Sequence, residues 1–346
     1  MENQNIVMLK LGNPKKKLKV AVLGYGYWGP HIARNLSQIT GFDLSAIVDF
    51  SLERRIEANI KHVSVPSFAT FDEALLNIEL DAVVIATPTR SHYELTLQAL
   101  ENGLHTIVEK PLTSNAAEAR SLTDLAVAKN LVMMVDHTYI YTPAVAKMKE
   151  IVGSKELGDL IYFDSTRVNL GLFQPDISVL WDLAVHDLAI LQHVTGRFPK
   201  TVSATTGKHK STNFDAAAFL TLHFDDLFFA HINVSWLSPM KLRRMVLSGS
   251  KKTVLFDDML VDERVRVYEA GVDLGESDLL HYRLGDIKIP KLANSEALRT
   301  ELEHFLECIT TRCDSWTSGE SATKIITCLE AAEKSIENNG LEILIP

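Results

Sequence analysis

The stretch 18–29, LKVAVLGYGYWG, constrains the fold of this chain more than any other. A short apolar run ends in Gly24-Tyr25-Gly26-Tyr27-Trp28-Gly29, which matches G-x-G-x-x-G, and Pro30 opens what reads as a helix. Strand, glycine turn and helix in that order form the phosphate-binding corner of a dinucleotide fold. Gly24 suits the tight turn, Gly26 lets backbone approach a pyrophosphate, and Gly29 lets the helix pack close to the strand. Tyr27 and Trp28 lie between these glycines, and the helix start behind them offers unpaired N–H groups to phosphate. Asp49 ends the next apolar run, about 25 residues after Gly24, near the spacing of about 20 expected for an acid that accepts ribose hydroxyls. Its charge would repel a 2′-phosphate, so the expected cofactor is NAD rather than NADP. Arg54 and Arg55 follow, and we place them on an exposed helix.

The alternation continues. Apolar runs at 44–48, 81–86, 105–108 and 131–135 alternate with helical stretches at 70–77, 91–102 and 116–129. Thr70 with Glu73 makes a capping box, and Gly103 is placed to end a helix. Continuous apolar strands separated by helices specify a parallel sheet covered on both faces. After about His137 the pattern changes. Thr142-Pro143 starts a helix, 160–168 reads as a strand, and 179–195 is a helix apolar almost all round. Residues 201–268 read as successive strands, with Gly207, Asp225-Asp226, Pro239 and Gly249 as turn signals. Helices near 295–311 and 321–338 close the chain. The expected architecture is α/β + α+β: a doubly wound Rossmann domain over 1–137, then an α+β domain over 138–346 built on a large, mostly antiparallel sheet. A chain of 346 residues exceeds the size at which one core usually stops growing.

Charge and composition exclude some classes. A net charge of −9 argues against a nucleic-acid binder, which needs a basic face. The Lys15-Lys16-Lys17 run with Lys19 reads as a solvated lead-in to the first strand. No stretch approaches the ~20 apolar residues of a membrane span, and no signal peptide is visible at the start. Cys308, Cys313 and Cys328 contain no C-x-x-C, so neither a disulfide framework nor a metal site is expected. A cytoplasmic, reducing location fits.

The chemistry-bearing residues fall where strands end. Ala86-Thr87-Pro88 closes a central strand, so Thr87 and Pro88 should touch the cofactor; His92 either does the same or serves the strand-to-helix turn. Glu109-Lys110-Pro111 closes another strand, where Lys110 could bind a substrate oxygen. Asp182 and His186, spaced i,i+4 in the apolar helix, share one face with His193. Polar groups in a buried helix need partners or a cavity, so they form either a cleft wall or a structural pair.

Taken together, the glycine fingerprint, Glu109-Lys110-Pro111 and Trp181-Asp182-Leu183-Ala184-Val185-His186-Asp187 resemble the Gfo/Idh/MocA oxidoreductases. The resemblance covers nearly the whole chain, extending to Trp236-Leu237-Ser238-Pro239 and Ala331-Ala332-Glu333-Lys334-Ser335-Ile336. It is greatest to the branch containing sugar-nucleotide dehydrogenases that oxidise C3 of UDP-N-acetylglucosamine-type substrates. The resemblance implies a site at the domain junction with Lys110, Asp182 and His186 as the catalytic group. It also implies a cis Lys110–Pro111 bond, and an open-faced second sheet used for homodimer or homotetramer contacts. Glu109 and Lys110 would flank the cofactor. Two departures stand out. Leu183-Ala184-Val185 replaces a segment where many members carry a glycine, and Asp136 stands where a small residue often precedes His137.

The expected reaction moves hydride between a sugar carbon and nicotinamide. His186 is the first choice of base, since imidazole titrates nearest neutrality; Lys110 is the second. Asp182 would orient His186 or bind a neighbouring hydroxyl. Tyr139, Arg167, Asn169 and Phe173 either line the sugar pocket or are ordinary strand and loop residues. Lys241, Arg243 and Arg244 either meet a nucleotide diphosphate or are solvated charges. The rivals are a free polyol dehydrogenase of the inositol type and a catalytically silent dinucleotide-binding regulator.

Overall fold

The computed structural model describes residues 17–171, 177–208, 215–274 and 280–346; Phe173, Lys15 and Lys16 lie outside them. The first half runs β1 (Leu18–Leu23), α1 (Gly29–Gln38), β2 (Phe42–Val48), α2 (Leu52–Lys61), β3 (Ser67–Phe68), α3 (Phe71–Asn77), β4 (Ala82–Ile85), α4 (His92–Glu101), β5 (His105–Glu109), α5 (Ala116–Ala128) and β6 (Met133–Asp136). All these strands pair in parallel, in the order β3-β2-β1-β4-β5-β6. Their apolar runs explain the burial: Val20, Ala21, Val22, Val83, Ile85, Val108 and Val135 are covered on both faces. The chain order reverses between β1 and β4, which opens a crevice at the strands' carboxyl ends.

The second half runs α6 (Pro143–Gly153), β7 (Leu160–Leu170), α7 (Val185–Thr195), β8 (Thr201–Lys208), β9 (Asp215–His223), β10 (Phe229–Ser235), β11 (Leu237–Gly249), β12 (Thr253–Asp257), β13 (Val265–Tyr268), β14 (Gly271–Leu274), β15 (Leu280–Arg283), β16 (Ile287–Lys288), α8 (Ala297–Thr311), α9 (Gly319–Glu337) and β17 (Ile343–Leu344). Nine of these strands form one sheet, and β7–β10 is its parallel pair among antiparallel ones. Two expected turns are not turns. Gly207 lies within β8 at a register shift, and Pro239 lies within β11 where the pairing skips from Leu237 to Leu242. A proline cannot donate to the ladder, so it occupies the bulge.

Helices α8 and α9 do not stay with the second sheet. Glu330 accepts from the Ala116 amide, Thr323 bonds Thr123, and Glu296 bonds Arg34 and Asn35. The Val135 amide donates to Thr317. The closing helices thus clamp both halves, which a boundary drawn along the sequence does not convey.

The helix expected over 179–195 is two elements. Leu180–Ala184 is a π-turn that runs into α7. A π-turn widens the spiral to i→i+5 bonding and turns the polar positions apart. His193, about three turns further along, packs against Trp316, with ring centroids 5.5 Å apart.

Candidate active site

The crevice over β1 and β4 opens into a cleft of about 870 Å³. Gly24 has φ +94°, and a Cβ there would sit 2.5 Å from the Ala86 carbonyl oxygen. A Cβ on Gly29 would overlap the Gly24 carbonyl, whereas one on Gly26 would meet only the Arg54 guanidinium, 3.7 Å away. Gly24 and Gly29 therefore answer to packing, and Gly26 keeps the cleft open. Helix α1 has no side-chain cap and no acid in its first turn, which leaves a positive end for phosphate. Tyr27, mostly in solvent, and Trp28, more covered, line the cleft in edge-to-face contact.

Asp49 is buried. One carboxylate oxygen accepts the Tyr25 amide at 2.7 Å and the other the Ser51 amide at 2.8 Å. Each oxygen retains a lone pair for a ribose hydroxyl. Arg54 sits on α2 and is exposed, as expected, with its side chain 47% accessible, and its guanidinium also lies 3.6 Å from Asp49 and lines the cleft. Ser51 is the N-cap of α2, its hydroxyl accepting the Arg54 amide, which places Arg54 in the helix's first turn at the cleft's rim.

Thr87 and Pro88 line the cleft, as expected of that strand end. His92 does not line it. It is buried, with Nδ1 2.8 Å from the Pro111 carbonyl oxygen and Nε2 2.8 Å from the Thr87 carbonyl oxygen; a neutral ring donates to one of the two, according to its tautomer. The ring braces the loop after β4 against the loop after β5, and burial lowers its pKa. Turn chemistry, not cofactor contact, accounts for it.

Lys110 and Asp182 meet across the cleft. The Lys110 ammonium donates to Asp182 Oδ1 at 2.8 Å and to the Asp182 carbonyl at 3.0 Å, while Trp236 Nε1 donates to Oδ2 at 3.2 Å. Both side chains are under one-fifth exposed and line the same cleft as Gly24 and Asp49. The Lys110–Pro111 bond is cis.

His186 is half-buried with its ring edge-on to Tyr139 at 4.9 Å, and it is not among the residues lining the cleft. The premise that it titrates near neutrality does not hold. Burial first, then the charges of Lys110 and Arg167, lower its pKa well below the usual value, so the imidazole is neutral. Nor does Asp182 orient it, since that carboxylate is committed to Lys110 and Trp236.

Arg167 was a pocket-wall expectation and is instead beneath the wall. It is almost wholly buried, forking onto Asp187 at 3.0–3.2 Å, with its guanidinium 4.5 Å from the Tyr139 ring. Arg243 covers the same ring at 5.6 Å and is half-buried beside Asp258; Lys241 and Arg244 are exposed. Asn169 lies near Trp236, since a Cβ on Gly171 would meet both.

Behind the strand end that carries Lys110 lies a group that the sequence did not suggest. Glu109, Asp136 and Glu301 pack together, with Asp136 and Glu301 buried, and burial pushes all three upward in pKa. Neither Glu301 oxygen has a conventional donor. It faces Asp136, and two carboxyl groups bond only when they share a proton. No local motif announces this trio, because Glu301 arrives from α8, far along the chain.

Two family models match, the NAD-binding Rossmann fold of an oxidoreductase family over residues 18–137 and the GFO/IDH/MocA C-terminal domain over 145–255. The chain belongs to the Gfo/Idh/MocA family of oxidoreductases. It is 26% identical to a UDP-N-acetylglucosamine 3-dehydrogenase of Acidithiobacillus ferrooxidans, over 92% of this chain and 97% of that protein. The solved structure of that enzyme superposes with a TM-score of 0.78, covering 93% of this chain and 98% of the other at 24% identity. A scyllo-inositol 2-dehydrogenase (NAD(+)) of Bacillus subtilis is 27% identical over 54% of this chain and 56% of its own length. An Agrobacterium radiobacter oxidoreductase solved with NAD+, L-tartaric acid and magnesium shares the fold, with a TM-score of 0.80 at 18% identity over 95% of this chain and 99% of that one. The chain is thus an NAD-binding oxidoreductase. Among the described residues no helix is long and apolar enough to cross a membrane.

Proposed function

We propose that this chain is an NAD-dependent dehydrogenase of a sugar hydroxyl carried on a nucleotide, of the UDP-N-acetylhexosamine 3-dehydrogenase type. The observation that carries the reading is the Lys110–Asp182 pair, 2.8 Å apart, on the wall of the cleft that also holds the glycine corner and Asp49. Gly24, Gly26, Tyr27, Trp28 and Gly29 would cradle the pyrophosphate, Asp49 the adenosine ribose, and Thr87, Pro88, Glu109 and Lys110 the far half of the cofactor. NAD supplies the hydride acceptor.

The protein's part is positioning and charge. Lys110 holds the reacting oxygen and stabilises negative charge as it develops. Asp182, fixed by Trp236, keeps that ammonium aimed and accepts from a neighbouring hydroxyl. The neutral His186 is free to take a hydroxyl proton, and the cations around it make it ready to return that proton in the reverse direction. Tyr139, held between Arg167 and Arg243, forms the floor on the His186 side, with Asn169 beside it. Arg243 is the cation we assign to the substrate's phosphates, because it alone of the three basic residues in its strand turns toward Tyr139.

The near full-length match to the UDP-sugar enzyme supports a nucleotide sugar; a free polyol stays the second reading, because a scyllo-inositol 2-dehydrogenase (NADP(+)) of Bacillus subtilis is also 26% identical, over 84% of this chain and 88% of its own length. The outer face of the second sheet exposes Phe219 and Phe229, which favours pairing with a second copy through this sheet. The test is NADH formation with UDP-N-acetylglucosamine and with inositols. Turnover of the UDP-sugar, lost about 10²- to 10⁴-fold in Lys110→Met, is expected; turnover of inositols alone would reject the nucleotide-sugar reading. NAD binding with no turnover on a broad sugar and polyol panel would favour the silent regulator.

A further inference from the structure

The end of α8 gathers three soft metal-ligating side chains, away from the cleft. His304 and Cys308 stand one turn apart on the same face of the helix, with Cys308 Sγ 3.4 Å from His304 Nε2. The helix then ends at Arg312, whose φ of +61° is left-handed, and whose amide donates to the Cys308 carbonyl. That reversal brings Cys313 back, so its Sγ lies 3.5 Å from that of Cys308. All three ligand atoms lie within 4.8 Å of one another. A Zn²⁺ ion with Zn–S of about 2.3 Å and Zn–N of about 2.0–2.1 Å has tetrahedral edges of about 3.8 Å between sulfurs and about 3.6 Å between sulfur and nitrogen. The observed edges at Cys308 are already close to these.

The surroundings are those of a ligand set. His304 is buried, and its Nδ1 bonds the Tyr141 hydroxyl at 3.0 Å, which in turn bonds Thr317. A ligating histidine whose other nitrogen is fixed by a neighbour is the usual outer-shell arrangement. Trp316 covers the imidazole, with ring centroids 4.5 Å apart. Cys308 is fully buried and Cys313 is exposed, so the group is closed on three sides and open on the fourth. The spacing His-x₃-Cys-x₄-Cys escapes a search for C-x-x-C, because its third member depends on the left-handed helix end.

We propose that His304, Cys308 and Cys313 bind a thiophilic divalent cation, Zn²⁺ by ligand type, with water or the adjacent Asp314 carboxylate in the fourth position. A bound ion would fix the end of α8 and, through Tyr141, the short turn Thr138–Tyr141 that sets Tyr139 against His186. The site stands independently of the redox reading.

The experiment is a titration of the whole, reduced, metal-stripped protein with Co²⁺. One equivalent is expected to bind, with thiolate-to-cobalt absorption in the near ultraviolet and tetrahedral visible bands, both bleached by Zn²⁺. Because Cys313 is exposed, Cys313→Ser should melt as the parent does without metal, yet lose the thiolate band intensity and the zinc-induced rise in Tm. Tyr141→Phe should weaken binding by about ten- to a hundredfold. No thiolate–cobalt absorption in the reduced protein, or absorption unchanged in Cys313→Ser, overturns the assignment. So does a reduced protein that closes a Cys308–Cys313 disulfide in air and never takes up cobalt.

Discussion

Glu301→Gln should make the protein more stable as the pH rises, by an amount set by one buried proton. Glu301 is fully buried, its oxygens have no conventional donor, and it faces Asp136, itself close to Glu109. Burial, then the neighbouring carboxylates, hold its pKa well above the usual value. The folded chain therefore keeps a proton that the unfolded chain loses near pH 4.5. Stability from such a group is present below the unfolded pKa and is lost as pH rises toward the folded one. The loss is about 1.4 kcal/mol per pH unit for each retained proton, or about 3 kcal/mol between pH 5.5 and 7.5 if Glu301 stays protonated throughout. Glutamine keeps the shape and removes the titration. Its NH₂ can also donate to Asp136, so the neighbour's proton is released more easily as well. Urea unfolding of both proteins at half-unit steps from pH 5 to 8 should give curves that diverge with pH, the variant gaining about 1.4 kcal/mol per unit. Histidine contributions cancel in the difference. Parallel curves would mean that Glu301 is ionised in the fold, and the shared-proton reading would fail.

The other expectations are simpler. Asp187→Asn leaves the buried Arg167 without its counter-charge and should cost about 3–5 kcal/mol in urea unfolding; a cost under about 1 kcal/mol would place that pair in solvent. Gly26→Ala should keep the parent's Tm but weaken NAD by at least about tenfold in calorimetry (1.4 kcal/mol), since its Cβ enters the open cleft, whereas Gly24→Ala should lower the Tm itself; the reverse order would refute the division of roles. For His186, a lowered pKa leaves the imidazole neutral throughout the working range, so the acid limb of kcat/KM in the oxidative direction should lie well below pH 6.5. An acid limb centred near 6.5 that disappears in His186→Asn would contradict this.

The Rossmann half was legible because its information is local. Continuous apolar strands, the Gly24–Gly29 corner, the Thr70 cap and Lys110 at a strand end follow from spacing of a few residues, and Asp49 from the length of one strand-helix-strand unit. The misreadings share a cause, which is contact between distant parts of the chain. His92 looks like a cofactor contact until Pro111 and Thr87 are seen to take both its nitrogens. Arg167 looks like a pocket cation until Asp187, on another element, takes its charge. The Asp182–His186 spacing assumed a regular α-helix, and the π-turn over Leu180–Ala184 broke that assumption while Lys110 and Trp236 claimed the carboxylate. The Glu109–Asp136–Glu301 trio and the His304–Cys308–Cys313 group depend on the paths of α8 and its left-handed end, which no short motif records.

The central claim is that the nicotinamide lies beside the Lys110–Asp182 pair. A crystal structure of the chain with NAD+ tests it most directly. Nicotinamide C4 should lie where a substrate carbon about 3.5 Å away could place its oxygen within hydrogen-bond reach of Lys110. Adenosine ribose should rest on Asp49 and pyrophosphate over Gly26. A nicotinamide ring bound elsewhere, with Lys110 and Asp182 still closed on each other and remote from C4, would contradict the claim.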